Sequence, residues 1–165
     1  MAYVTDGKAG TSLSTTYAGT TTDGYGAPMT LGTRVTATDG SHWVFVQAGA
    51  AITQYSWVAI TEDFQAVMGT TALAAAGHQV GFAQVAFADN DFGWVAVHAP
   101  GNITARLLAS CAADVQLYTS ATAGALDDTS AGVNLIRGVV AVAAATNTAS
   151  NREVIAVYPS GSATP

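Results

Sequence analysis

Arg34-Val35-Thr36-Ala37-Thr38-Asp39-Gly40-Ser41-His42-Trp43-Val44-Phe45-Val46-Gln47 is the stretch that decides the fold class. Arg34 to Thr38 is a short β-favouring run. Asp39-Gly40 supplies the positive φ that tight hairpin turns require, and the loop extends to Ser41 in an alternative reading. His42 to Gln47 is aromatic and β-branched, the composition that fits a pleated, packed surface. Two such runs around Asp-Gly predict a β-hairpin.

Working outward, the same grammar repeats. Tyr55 to Ile60 reads as the next strand. Gln79 to Ala88 alternates Val80, Phe82, Val85 and Phe87, with a slip at Ala83-Gln84 that suggests a bulge. Asp89-Asn90-Asp91-Phe92-Gly93 is a turn by composition. Gly93 to Ala99 is the return strand, Pro100-Gly101-Asn102 another turn, and Ile103 to Ala109 a further strand. Val115 to Thr119, Leu135 to Ala145 and Glu153 to Tyr158 are also extended, with Thr122 to Asp128 a polar loop. Glu62 to Ala76 differs. Phe64, Val67 and Met68 have helical spacing, Thr71 to Ala76 has helix propensity, and Gly69 and Gly77 interrupt and end it, so one short helix or helical turns are expected there. The sum is roughly eight or nine short strands. It predicts a mainly β fold, a small antiparallel β-barrel or sandwich with at most one short helix. Residues 1–30, rich in Gly, Thr, Ser and Tyr, read as an extended N-terminal arm, residues 31–159 as the β-rich body and residues 160–165 as a C-terminal tail.

Composition narrows the function classes. The chain of 165 residues is 50% hydrophobic but only 10% charged, with net charge −6. Charged residues make up about 25% of an ordinary soluble domain. A surface so poor in charge is shielded by Thr and Ser or covered by partners. Lys8, Arg34, Arg106, Arg137 and Arg152 are the only Lys and Arg residues, and they are scattered. Phosphate neutralisation needs clustered cations, so nucleic acid and anionic membrane surfaces are not expected partners. Cys111 is the single cysteine, which excludes an intrachain disulfide and fits a reducing compartment. Met1 to Gly7 lacks the basic and apolar regions of a signal peptide.

Motifs for chemistry are sparse. His42, His78 and His98 have no metal-ligand spacing in sequence, and a zinc site would need the fold to bring them together. Asp89-Asn90-Asp91 before Gly93 resembles part of a calcium loop but lacks the later ligands, and a hairpin turn is the preferred reading. Asp127-Asp128 sits among small residues and reads as a surface turn. Cys111 has no adjacent base, and a free Cys among small apolar residues is usually buried and inert. No G-x-S-x-G or phosphate loop occurs. Neither a cofactor nor a catalytic set is expected, and the chain reads as a non-enzyme. The aromatic residues remain. Trp43, Trp57 and Trp94 fall in expected strands, where core packing competes with anchoring of an interface. Tyr3, Tyr17, Tyr25, Trp57 and Trp94 are the candidate interface residues.

Three blocks carry a resemblance. They are Leu31-Gly32-Thr33 through Trp43-Val44-Phe45-Val46-Gln47-Ala48 with Ala51 to Tyr55; Val80-Gly81-Phe82-Ala83-Gln84 with Ala88 to Val95; and Cys111 to Thr119 running into Ala123 to Asp128. Over about Thr30 to Pro159 the chain resembles the head decoration, or cement, proteins of tailed bacteriophages. The resemblance implies a structural virion protein on the capsid exterior. It would be assembled in the host cytoplasm, bridge neighbouring major capsid proteins and act as a homo-oligomer, with a trimer favoured and a dimer possible. A fibre or spike module is the alternative within virions. A carbohydrate-binding β module is another, with Trp57 or Trp94 as its sugar platform.

Overall fold

The computed structural model describes residues 12–19, 27–130 and 133–162. Its strands are β1 (Arg34–Thr36), β2 (His42–Ala48), β3 (Trp57–Ile60), β4 (Gln65–Met68), β5 (Gln79–Ala83), β6 (Phe92–Leu107), β7 (Gln116–Thr119), β8 (Leu126–Asp127), β9 (Leu135–Ala141) and β10 (Ser150–Ser162). One short helix, α1 (Thr71–Ala75), lies between β4 and β5. The protein is mainly β, as expected.

The opening hairpin forms as read. Val35 lies opposite Trp43 and Thr36 opposite His42. Gly40 takes φ 80°, Asp39 Oδ1 accepts from the Ser41 amide at 3.0 Å and from its hydroxyl at 2.6 Å, and Trp43 Nε1 donates to Ser41 Oγ at 2.7 Å. The turn chemistry and the first core tryptophan are thus coupled through one serine.

All ten strands join a single sheet that curls over itself. In β6, Ala96 lies opposite Trp43 of β2 on one side and Phe82 of β5 on the other. Further along, β6 pairs with β10, and β10 continues to β9, β7 and β8. The ladders at the seams of the curl are short, Gln47↔Gln65 with Ala48↔Ala66 between β2 and β4, and Phe82↔Ala96 with Ala83↔Val95 between β5 and β6. The architecture is therefore sandwich-like and not a closed barrel.

Two apolar clusters explain the curl. Val44, Val46, Val58, Ile60, Val95 and Val97 pack on one face of the first layer. Trp43, Phe45, Trp57, Phe82, Trp94 and Ala96 pack on the other, against Leu107, Leu117, Ile136 and Val154 of the second half. Trp43–Val46, Trp57–Ile60 and Trp94–Val97 are buried at every position. A strand covered on both faces reads as a continuous apolar run instead of an alternation.

Three expectations are corrected. Phe64, Val67 and Met68 are not on a helix. Phe64 turns the chain at φ 58°, and Gln65–Met68 is β4, filling the gap between β2 and β3. Sheet pairing on two sides outweighs a weak helical spacing, and Gly69 lets the chain pass the Trp57 ring, where a Cβ would lie 2.2 Å from it. Only Thr71–Ala75 is helical, with Thr70 Oγ1 accepting from the Leu73 amide at 3.3 Å. Second, Gly93–Ala99 and Ile103–Ala109 are not two strands around a turn. They merge into one strand, β6, which ends at Leu107 and in which Gly101 at φ 122° takes up a register shift opposite Val154 and Ile155. Third, β10 runs on to Ser162, past the boundary expected at Pro159. Its Gly161 lies so close to α1 that a Cβ would meet the Ala74 carbonyl at 2.3 Å. Within the expected arm, residues 12–19 pack on the body. Leu13 is buried, and Tyr17 exchanges backbone hydrogen bonds with Phe92, both at 2.8 Å.

Candidate functional site

β10 is the strand that presents an apolar outer face. Its inward residues, Val154 and Ala156, are fully buried, whereas Ile155 and Val157 are 38% and 54% exposed. Ile155 lies between Pro100 of β6 and Val140 of β9, and Val157 lies opposite His98. Val142, just beyond β9, is also exposed. The register of β10 against β9 shifts between Ala156 and Ser160. At that bulge Gly138 takes φ 78° and Tyr158 φ 44°. A Cβ on Gly138 would meet the Val157 carbonyl at 2.6 Å, so glycine is what lets the bulge close onto β9 while Val157 and Tyr158 stand outward.

Tyr158 ends this strip on a pair of histidines. His42 of β2 and His98 of β6 are register partners with ring centroids 4.8 Å apart. The Tyr158 hydroxyl is hydrogen-bonded to His42 Nδ1, and its ring stacks on His98 at 5.1 Å. His98 Nδ1 is buried without a hydrogen-bond partner. Burial, then His98 and then Arg34 hold the His42 imidazole below its ordinary value, which favours the neutral ring. His78 is in the turn between α1 and β5, where it lines a shallow groove with Glu62 and Gln79.

A second cluster joins Cys111 to Asp127 and Asp128, whose ligand atoms lie within 4.8 Å of one another. Its groups are already engaged. Asp128 Oδ2 accepts from the Ala112 amide and Asp127 Oδ1 from the Asp128 amide, both at 2.9 Å. Burial, followed by the two carboxylates, pushes the Cys111 thiol up to about 11. The thiol is thus protonated at neutral pH, neither a nucleophile nor a ready thiolate ligand. Burial also raises Asp127. The cluster ties the loop after β6 to β8. At Asp89-Asn90-Asp91 the Asp91 side chain serves a turn, with Asn90 at φ 66° and Asp91 Oδ2 accepting from the Ala88 amide at 3.1 Å.

The expected interface residues fare differently. Trp57 and Trp94 are 1% and 0% exposed, so both are core residues and neither reaches a partner from the surface of the folded chain. The physical reason is the double cover of β3 and β6. Tyr17 is partly buried, with its ring edge-on to Phe45 at 6.3 Å. Tyr3 and Tyr25 lie outside the described residues. Sequence reading missed Val142, Ile155, Val157 and Tyr158. The one signal available was that Glu153 to Tyr158 is apolar in both phases of its alternation. Among the described residues no helix is long and apolar enough to cross a membrane. No family model, curated protein or solved structure matches this chain.

Proposed function

We propose that this chain is a structural virion protein that docks on the outside of a tailed-phage capsid and bridges neighbouring major capsid proteins to stabilise the shell. It acts as a homo-oligomer, a trimer in preference to a dimer, and does no chemistry of its own. The observation that carries the reading is the exposed strip Ile155, Val157 and Tyr158 on β10, with Val142 beside it. Contiguous apolar surface on a rigid frame is what protein docking uses, with aromatic residues as frequent anchors. Strands buried on both faces supply that frame. A surface with few charges suits it further, because the centres of interfaces are depleted in charge. The sequence resemblance supplies the capsid as the partner. The carbohydrate-module alternative loses its platform, since Trp57 and Trp94 are buried.

The test is co-sedimentation with purified expanded capsids of the phage that encodes the chain. The wild-type protein is expected to bind and to raise the heat resistance of the particles. An Ile155→Ser/Val157→Ser variant should keep its thermal midpoint and bind roughly tenfold less, the effect of removing about 1–2 kcal/mol of anchor energy. Wild-type binding no better than that of an unrelated acidic β protein would sink the capsid reading.

A further inference from the structure

The fold does for two histidines what sequence spacing does not. His42 and His98 are 56 residues apart in number, on strands that pair antiparallel, and they stand opposite each other with ring centroids 4.8 Å apart. Side-by-side imidazoles are the commonest protein ligands for borderline dications such as Zn2+, Ni2+ and Cu2+. One of the two rings also has the outer partner that metal-bound histidines usually carry. Tyr158 holds His42 Nδ1, which leaves Nε2 as the ligand atom and fixes the ring. A tyrosine at φ 44° is a strained position, and strain of that kind persists where the surroundings hold it in place. His98 Nδ1 is a buried ring nitrogen with no partner, a group that ordinarily finds one. The cationic neighbour Arg34 is directed to Gln79 Oε1 at 3.4 Å.

We propose that His42 and His98 together bind a Zn2+-class dication, with Tyr158 as the residue that positions His42. Two imidazoles supply half of a tetrahedral shell and water the remainder, so the site is one of modest affinity. This goes beyond the capsid-docking role and does not depend on it.

The test is calorimetric titration of the full, EDTA-treated chain with ZnCl2 near neutral pH in a non-coordinating buffer. Saturable uptake of one equivalent is expected. His42→Ala and His98→Ala should each weaken it about tenfold or more. Tyr158→Phe should weaken it severalfold at unchanged stoichiometry, as loss of an outer partner does. His78→Ala and Cys111→Ser should leave it unchanged. Ring NMR signals of the wild-type chain provide a readout that needs no variant: Zn2+ should shift His42 and His98 and spare His78. Absence of saturable uptake overturns the proposal. So does uptake that survives the His42→Ala/His98→Ala double variant, or that disappears with His78→Ala or Cys111→Ser.

Discussion

Trp57-Val58-Ala59-Ile60 of β3 and Val154-Ile155-Ala156-Val157 of β10 are apolar in both phases, yet they end in opposite environments. Every residue of the first is buried. In the second, Val154 and Ala156 are buried while Ile155 and Val157 face outward. The difference lies in what other parts of the chain lay across each strand. β3 runs between β4 and β5, with one apolar cluster on each face. β10 has a cluster on its inner face only. An apolar run therefore reports that a strand has apolar surface to cover. Whether cover is supplied within the chain is decided by distant segments.

That contrast can be broken experimentally. The largest effect is expected from Trp57→Ala, which removes a fully buried ring that bridges to the Ala125 carbonyl at 3.3 Å. It should cost about 3–5 kcal/mol in denaturant unfolding, and a loss under about 1 kcal/mol would mean that β3 is not covered as described. On the β10 side the sensitive position is Gly138, at φ 78° beneath the Val157 carbonyl. Gly138→Ala should cost about 1–3 kcal/mol, and an unchanged midpoint would show that the bulge relaxes freely. The smallest effect is a pH dependence. His42 binds its proton less tightly when folded than the ordinary value of 6.5, because burial, His98 and Arg34 all oppose the charge. The unfolded chain therefore takes up the proton first. This group leaves stability intact above about pH 6.5, and destabilisation sets in as the pH falls below that value and is complete below the folded one. His42→Gln should flatten the slope of the thermal midpoint over that interval.

Much of the strand pattern was legible because turn chemistry is local. Asp39-Gly40 and the runs on either side contain their own instructions, and the hairpin formed accordingly. β4 was misread because the helical spacing of Phe64, Val67 and Met68 is also local, while the demand for a strand comes from β2 and β3. Pro100-Gly101-Asn102 has the composition of a turn, but β10 pairs along both sides of it and holds it in one bulged strand. Trp57 and Trp94 turned out to be core residues for the same reason. Tryptophan is frequent at interfaces and in cores alike, and nothing within Trp57 or Trp94 says that a second layer covers it. Tyr158 escaped notice at the end of a short strand, since its meeting with His42 and His98 depends on three strands far apart in sequence. The closeness of Cys111 to Asp127 and Asp128 was hidden likewise.

β6 carries a further consequence. Its first half forms ladders with β2 and β5, and its second half with β10, so one uninterrupted backbone is a member of both layers. Neither layer can open without disturbing a strand on which the other depends. Unfolding is thereby coupled across the whole body, and protection of amide protons should be lost from both layers together. The chain also has to bring β2 and β6 together across all the intervening sequence before the first layer is complete. Loop closure of that length places the fold among slow-folding topologies, with a cooperative native state once it is reached.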